Sequence, residues 1–159
     1  MLKLVLDADG TIKLAKSGTL EVLTSTEKCF MASAAYEEVI KGKEKMYEDA
    51  FIVESLEQKG QIILKKSEEK QIGSTSSGES ATLSLFKTLK GDAIISDDRK
   101  FLKSLEEDRI SFIIPTDVIV LLAKKRAISE TDAKIALDNI RDIVRDENYQ
   151  SAIENIKGE

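Results

Sequence analysis

"LVLDADGT", residues 4–11, runs from three apolar residues into an aspartate, then a second aspartate and a Gly-Thr pair. The apolar run, with β-branched Val5 at its centre, predicts a short buried strand over Lys3–Leu6. An aspartate where such a strand ends points to a metal ion held beyond the strand. The pattern recurs in "AIISDD", residues 93–98, where Ala93–Ile95 runs into Ser96, Asp97 and Asp98. Three further apolar runs, Cys29–Ala32, Ile62–Leu64 and Phe112–Ile114, also read as strands. Helix-spaced segments separate them. Short apolar strands alternating with helices make an α/β fold with a central, mostly parallel sheet flanked by helices. In such sheets ligands bind beyond the carboxyl ends of strands. Asp7 and Asp97-Asp98 both stand at such ends.

The helical readings follow from caps and spacing. Asp9 is expected to cap a helix from Gly10 to Lys16, stopped by Ser17-Gly18. A short helix follows over Leu20–Thr24. Ser33 is expected to cap a helix to Lys41, with Glu37 in its first turn. One helix is predicted over Glu44–Lys59, then others over Glu79–Lys90, Lys100–Glu106, Thr116–Lys125, Glu130–Val144 and Glu147–Ile156. Ser129 or Thr131 can cap the segment that starts at Glu130. Lys65–Gly78 has loop composition, ending in "GSTSSG", and is read as a mobile loop at the active site. There is no internal repeat.

Composition bounds the function. The 159 residues suit one domain, and 42% hydrophobic with 33% charged residues fits a globular chain. A lone cysteine, Cys29, excludes an internal disulfide; with no leader, this predicts a cytoplasmic protein. No stretch approaches the ~20 apolar residues of a membrane span. With no histidine, His-based triads and His-rich zinc sites are excluded, so chemistry falls to carboxylates, hydroxyls, lysine or a metal. The net charge of −5 argues against a protein that coats duplex DNA, but local lysines can still meet phosphates.

Two families share the opening motif. "VLDADGTI" resembles the first motif of haloacid-dehalogenase-type phosphatases, in which Asp7 would be a nucleophile and Asp9 an acid/base. That chemistry also wants a Ser or Thr ending a middle strand, where "IILKK" supplies Lys65. Over the whole chain the sequence resembles the PIN-domain nucleases, many of them toxins of prokaryotic toxin–antitoxin pairs. Four ordered blocks carry the likeness: "LVLDADGTIKLAKSG", "ASAAYEEVIKG", "GESATLSLFKTLKGDAIISDDRKF" and "IPTDVIVLLAKKRAIS". The likeness covers about residues 2–142 of one domain spanning 1–159. Residues 143–159 are left as a helical extension.

The resemblance implies a compact three-layer fold and an endoribonuclease that hydrolyses single-stranded RNA with Mg2+ or Mn2+. The acids it assigns are Asp7, Glu38, Glu79 and Asp98. Asp7 and Asp98, at strand ends, are the expected direct ligands. Glu38 and Glu79, expected at helix starts, would act through water or hold a second ion. Asp9, Ser96 and Asp97 are expected as second-shell groups or phosphate contacts. Many relatives carry Asp where this chain has Glu79. Each acid also has a plainer reading: Asp7, Asp9, Asp97 and Asp98 as helix caps, Glu38 as a solvated residue, Glu79 as a partner of a helix dipole. A non-catalytic module that binds RNA or a partner protein is the other reading of the same fold. The resemblance further implies a homodimer and a possible antitoxin partner. Val118, Leu121 and Leu122 are expected to offer the apolar dimer face, and Lys124-Lys125-Arg126 reads as a helix end or an RNA-phosphate patch.

Overall fold

The computed structural model describes residues 1–66 and 77–157. Along the chain run β1 (Lys3–Leu6), α1 (Ala8–Ser17), α2 (Leu20–Thr26), β2 (Lys28–Ala32), α3 (Ser33–Ile40), a 3-10 helix (Lys41–Lys45), α4 (Glu48–Gln58) and β3 (Ile62–Lys65). Then come α5 (Ser77–Leu89), β4 (Ala93–Ile95), α6 (Arg99–Glu107), β5 (Phe112–Ile113), α7 (Pro115–Lys124), α8 (Glu130–Asn139), a 3-10 turn (Arg141–Ile143) and α9 (Asp146–Ile156). Most of the loop expected over Lys65–Gly78 lies outside the described residues.

The five strands order β3-β2-β1-β4-β5, and every pairing is parallel. The chain builds outward from β1 to β3, then crosses back to add β4 and β5 on the other side. The direction of winding therefore reverses between β1 and β4. That is where an open α/β sheet leaves a crevice at its carboxyl end.

The period of two along each strand sorts the core into layers. Leu4, Leu6, Cys29, Met31, Ala93 and Ile95 face one side, against Leu14 of α1, Leu23 of α2, Val53 of α4 and Val118 of α7. Val5, Phe30, Ala32 and Ile94 face the other, against Ala81 and Leu85 of α5 and Phe101 and Leu105 of α6. Helices thus cover both faces of a central parallel sheet, the fold expected from the sequence. A third apolar cluster joins Ile119 of α7, Leu137 of α8, and Tyr149 and Ile153 of α9.

Several local readings needed correction. Asp7, not Asp9, caps α1, and its side chain accepts the Gly10 N–H. Ser33 is the first residue of α3 rather than its cap, which leaves Glu37 in the second turn. The helix expected over Glu44–Lys59 starts only at Glu48, because Met46 takes a left-handed conformation (φ 59°) after the 3-10 helix. The helix expected over Glu130–Val144 stops at Asn139. Val118 and Leu122 are fully buried in the protein's own core, so α7 does not present them as a dimer face. Lys125 pairs with Glu27, which also accepts the Leu2 N–H, so this basic cluster sits at the amino ends of the strands.

Two glycines matter for shape. Gly18 (φ 87°) ends α1 in the left-handed conformation that the Ser17-Gly18 pair predicts. Gly10 permits the first turn of α1 to lie on the end of β4: a Cβ there would sit 2.8 Å from the Ile95 carbonyl oxygen and 2.9 Å from Asp7 Oδ1. The carbonyl belongs to a paired strand and cannot move aside. Gly10→Ala is therefore expected to lower stability by about 1–3 kcal/mol, the usual range for overpacking. Urea unfolding monitored by circular dichroism measures it, and an unchanged midpoint would refute the close approach.

Candidate functional site

Asp7 ends β1 and begins α1. Its N–H donates to the Ile95 carbonyl at 3.1 Å, continuing the β1–β4 ladder. Its Oδ1 accepts the Gly10 N–H at 2.6 Å, and its carbonyl accepts the Thr11 hydroxyl at 2.6 Å. The residue is only 4% exposed. Burial pushes its carboxyl up to about 7, with the charges of Asp9 and Glu79 adding to the effect. Hydrogen bonds from Ser96 and Gly10 act in the other direction.

Asp98 is built the same way on β4. It caps α6, and its Oδ1 accepts the Phe101 N–H at 2.9 Å. Ser96, which is fully buried, joins the two acids. Its hydroxyl hydrogen-bonds the Asp7 carboxylate and accepts the Asp98 N–H at 3.2 Å. Ser96 is thus a bridge between the strand-end acids, and its hydroxyl is already engaged.

Glu38 and Glu79 approach on helices. Glu38 stands in the second turn of α3, not at its start. Its carboxylate lies against Gly78: a Cβ on Gly78 would fall 2.2 Å from Glu38 Oε1. Desolvation raises the Glu38 carboxyl above its ordinary value, and Lys41 opposes that rise. Glu79 occupies the first turn of α5.

Asp7, Glu38, Glu79 and Asp98 all line one cavity of about 110 Å3, together with Ala8, Asp9 and Gly78. Four separate chain segments thus bring carboxylates to one cavity at the carboxyl ends of β1 and β4. Among the described residues, no three His, Cys, Asp or Glu side chains stand at the spacing of a direct metal cage. The donor set is oxygen only, and the cavity has room for about three waters at ~30 Å3 each. Mg2+ and Mn2+ take oxygen ligands, and Mg2+ keeps several waters while using one or two carboxylates. The residues fit a hydrated divalent ion of that kind and do not fit a fully protein-built cage.

Asp9 lines the cavity, and Asp97 is the chain neighbour of Asp98, which also lines it. Both reach Lys13 of α1: Lys13 Nζ lies 2.7 Å from Asp97 Oδ2 and 3.3 Å from Asp9 Oδ2. Burial alone would lower the Lys13 pKa; the hydrogen bond to Asp97 and the charges of both acids raise it instead. Burial pushes Asp97 up, and Lys13 pulls against it. Sequence reasoning missed Lys13. Its i,i+4 relation to Asp9 was the available signal.

A larger open cavity of about 680 Å3 lies where α7 ends and α8 begins, lined by residues that include Lys124, Arg126, Ser129 and Asn155. It is at the amino ends of the strands, away from the acids. A third, of about 320 Å3, is lined by Arg99, Lys103 and Arg145 over Leu102, Phe112 and Ile114, with Glu106 at its wall. Arg99 directly follows Asp98, and the charge of Arg145 reaches Asp97. No described helix is long and apolar enough to cross a membrane.

A family model described as a PIN domain matches residues 3–156, which runs into α9. No curated protein and no solved structure matches the chain.

The buried Asp7 carboxyl gives the metal-free protein a pH signature. Its folded pKa is raised, so the folded state keeps a proton that the unfolded chain releases near pH 4. Stability from this group is fully present below that point and is lost as pH rises to about 7. The loss is on the order of a few kcal/mol. Melting temperature in EDTA should therefore fall between pH 5 and pH 8 by more in the wild type than in Asp7→Asn. Equal slopes in the two proteins would contradict the burial argument.

Proposed function

The chain belongs to the PIN-domain family, and from that premise we propose that it is a Mg2+- or Mn2+-dependent nuclease that hydrolyses single-stranded RNA. The observation that carries the reading is the cavity lined by Asp7, Glu38, Glu79 and Asp98. Like charges brought together raise each other's pKa and cost stability, so their convergence calls for a cation. When bound, the divalent ion supplies charge that offsets the carboxylates and polarises the phosphodiester.

The chain's own groups divide the remaining work. Asp7 and Asp98 are direct ligands in this reading, held still by the N–H groups of the helices they cap. Ser96 fixes one relative to the other. Glu38 and Glu79 bind water from the facing wall. Glu38, its carboxyl raised by desolvation, takes the proton of the attacking water.

The basic cleft of Arg99, Lys103 and Arg145 favours a polymer substrate over a small phosphate ester. Its cations suit backbone phosphates, and its apolar floor suits a base. Resemblance to toxin-type relatives extends the proposal to a cytoplasmic homodimer restrained by an antitoxin. A binding module without catalysis is favoured by one observation, the lack of three acids at direct-chelation spacing among the described residues.

Two experiments decide. Glu79→Gln should keep the fold, bind Mn2+ roughly 10–100-fold more weakly, and lose about 100-fold or more in RNA cleavage. Calorimetry and a single-stranded RNA assay read these effects. Wild-type protein that binds Mn2+ yet cleaves no RNA would support the binding module. Phosphatase activity that survives Glu79→Gln but vanishes with Asp7→Asn would falsify the nuclease reading in favour of a covalent aspartate. Separately, Arg99→Ala or Arg145→Ala in the Glu79→Gln background should weaken single-stranded RNA binding. Each lost phosphate contact should reduce the slope of log affinity against log salt by about 0.7. Unchanged anisotropy titrations would rule the cleft out as the RNA path.

A further inference from the structure

Six carboxylates surround the reversal point: Asp7, Asp9, Glu38, Glu79, Asp97 and Asp98. Four are assigned above to the ion and its water. The other two, Asp9 and Asp97, share one ammonium group. Lys13 Nζ touches Asp97 at 2.7 Å and Asp9 at 3.3 Å. The Asp9 side chain is exposed, but the contact with Asp97 is not a loose surface pair. The Lys13 side chain is 15% exposed and that of Asp97 is 7% exposed. The bond also spans the fold, tying α1 to the segment between β4 and α6, 84 residues away.

Asp9 lines the same cavity as the four ligand acids. Asp97 is the immediate neighbour of Asp98. Without Lys13, Asp9 and Asp97 would be a second pair of oxygen donors beside the first. Two carboxylates completed by water are a sufficient set for a divalent cation of this class. Lys13 already occupies the place where such a cation would neutralise them. Arg145 adds a weaker positive field on Asp97 from the start of α9. No other charged group acts on this pair as closely as Lys13 among the contacts described.

We propose that Lys13 is a built-in cation that holds Asp9 and Asp97 out of metal binding, so that the cavity takes one divalent ion rather than two. The proposal rests on the metal-dependent reading above and fixes its stoichiometry. Lys13 is a positioning residue: it touches neither substrate nor ion, and acts through the two acids it occupies.

Mn2+ binding counted by electron paramagnetic resonance tests this without any assay of cleavage. Wild type and Lys13→Arg should each bind one equivalent. Lys13→Met should gain a second, weaker equivalent. Its melting temperature in EDTA should drop, because two acids lose their partner, and should recover on addition of Mn2+. Two equivalents in the wild type would overturn the proposal alone and leave the metal-dependent reading standing. A single equivalent in a folded Lys13→Met protein would do the same. No Mn2+ bound by any of the three proteins would sink the metal-dependent reading and this inference with it. If Lys13→Met does not fold, two equivalents in the wild type would still overturn the proposal.

Discussion

The pairing of β1 with β4 is the constraint on which the rest depends. It is the junction where a sheet wound outward toward β3 begins again toward β5. Its last rung is the bond from the Asp7 N–H to the Ile95 carbonyl. That rung fixes the start of α1 relative to the end of β4, and Gly10 lets the helix settle directly on the strand. Both acid-bearing strand ends are then locked by the same device, a carboxylate that caps the helix that follows. Each cap employs one carboxylate oxygen and restricts the rotation of its side chain.

The sheet faces show how the remaining pieces reach this point. The layer of α5 and α6 carries Glu79 and is capped by Asp98, and α3 brings Glu38 against Gly78 from the side. The third cluster, built by α7, α8 and α9, lies away from the sheet. It nevertheless affects the charge balance beside the cavity, because Arg145, the N-cap residue of α9, acts on Asp97. Its apolar contacts are therefore part of what holds a basic cleft next to an acidic cavity. A chain of net charge −5 can offer phosphate contacts in this way, by segregating its charges rather than by changing their sum.

What could be read from the sequence was whatever local pattern determines. Strands announced themselves as apolar runs with alternating faces, and their carboxyl ends marked Asp7 and the Asp97-Asp98 pair. Ser129 and Thr131 were both candidate caps of α8, and Ser129 is the one that caps it. Features set by tertiary contact were not legible. The left-handed turn at Met46 splits a segment whose apolar spacing alone reads as one helix. Val118 and Leu122 look like an exposed apolar stripe until the sheet is in place to cover them. Glu38 is assigned by resemblance. Its nearness to Gly78 depends on α3 meeting α5, which no spacing within α3 reveals. Lys13 shows the boundary best. Its link to Asp9 is written in the i,i+4 spacing, whereas its stronger contact is with Asp97, far along the chain.

Charge explains why these particular groups form a set. Burial alone makes Asp7 reluctant to ionise, and Asp9 and Glu79 make it more so. The fold opposes this with N–H donors at the helix starts and with the Ser96 hydroxyl, none of which brings a full positive charge. Lys13 is paired with Asp9 and Asp97, and Lys41 acts on Glu38. Hydrogen bonds from neutral donors orient carboxylates well but neutralise them poorly. The burial of Asp7 is thus carried as stability that is lost as pH rises to about 7.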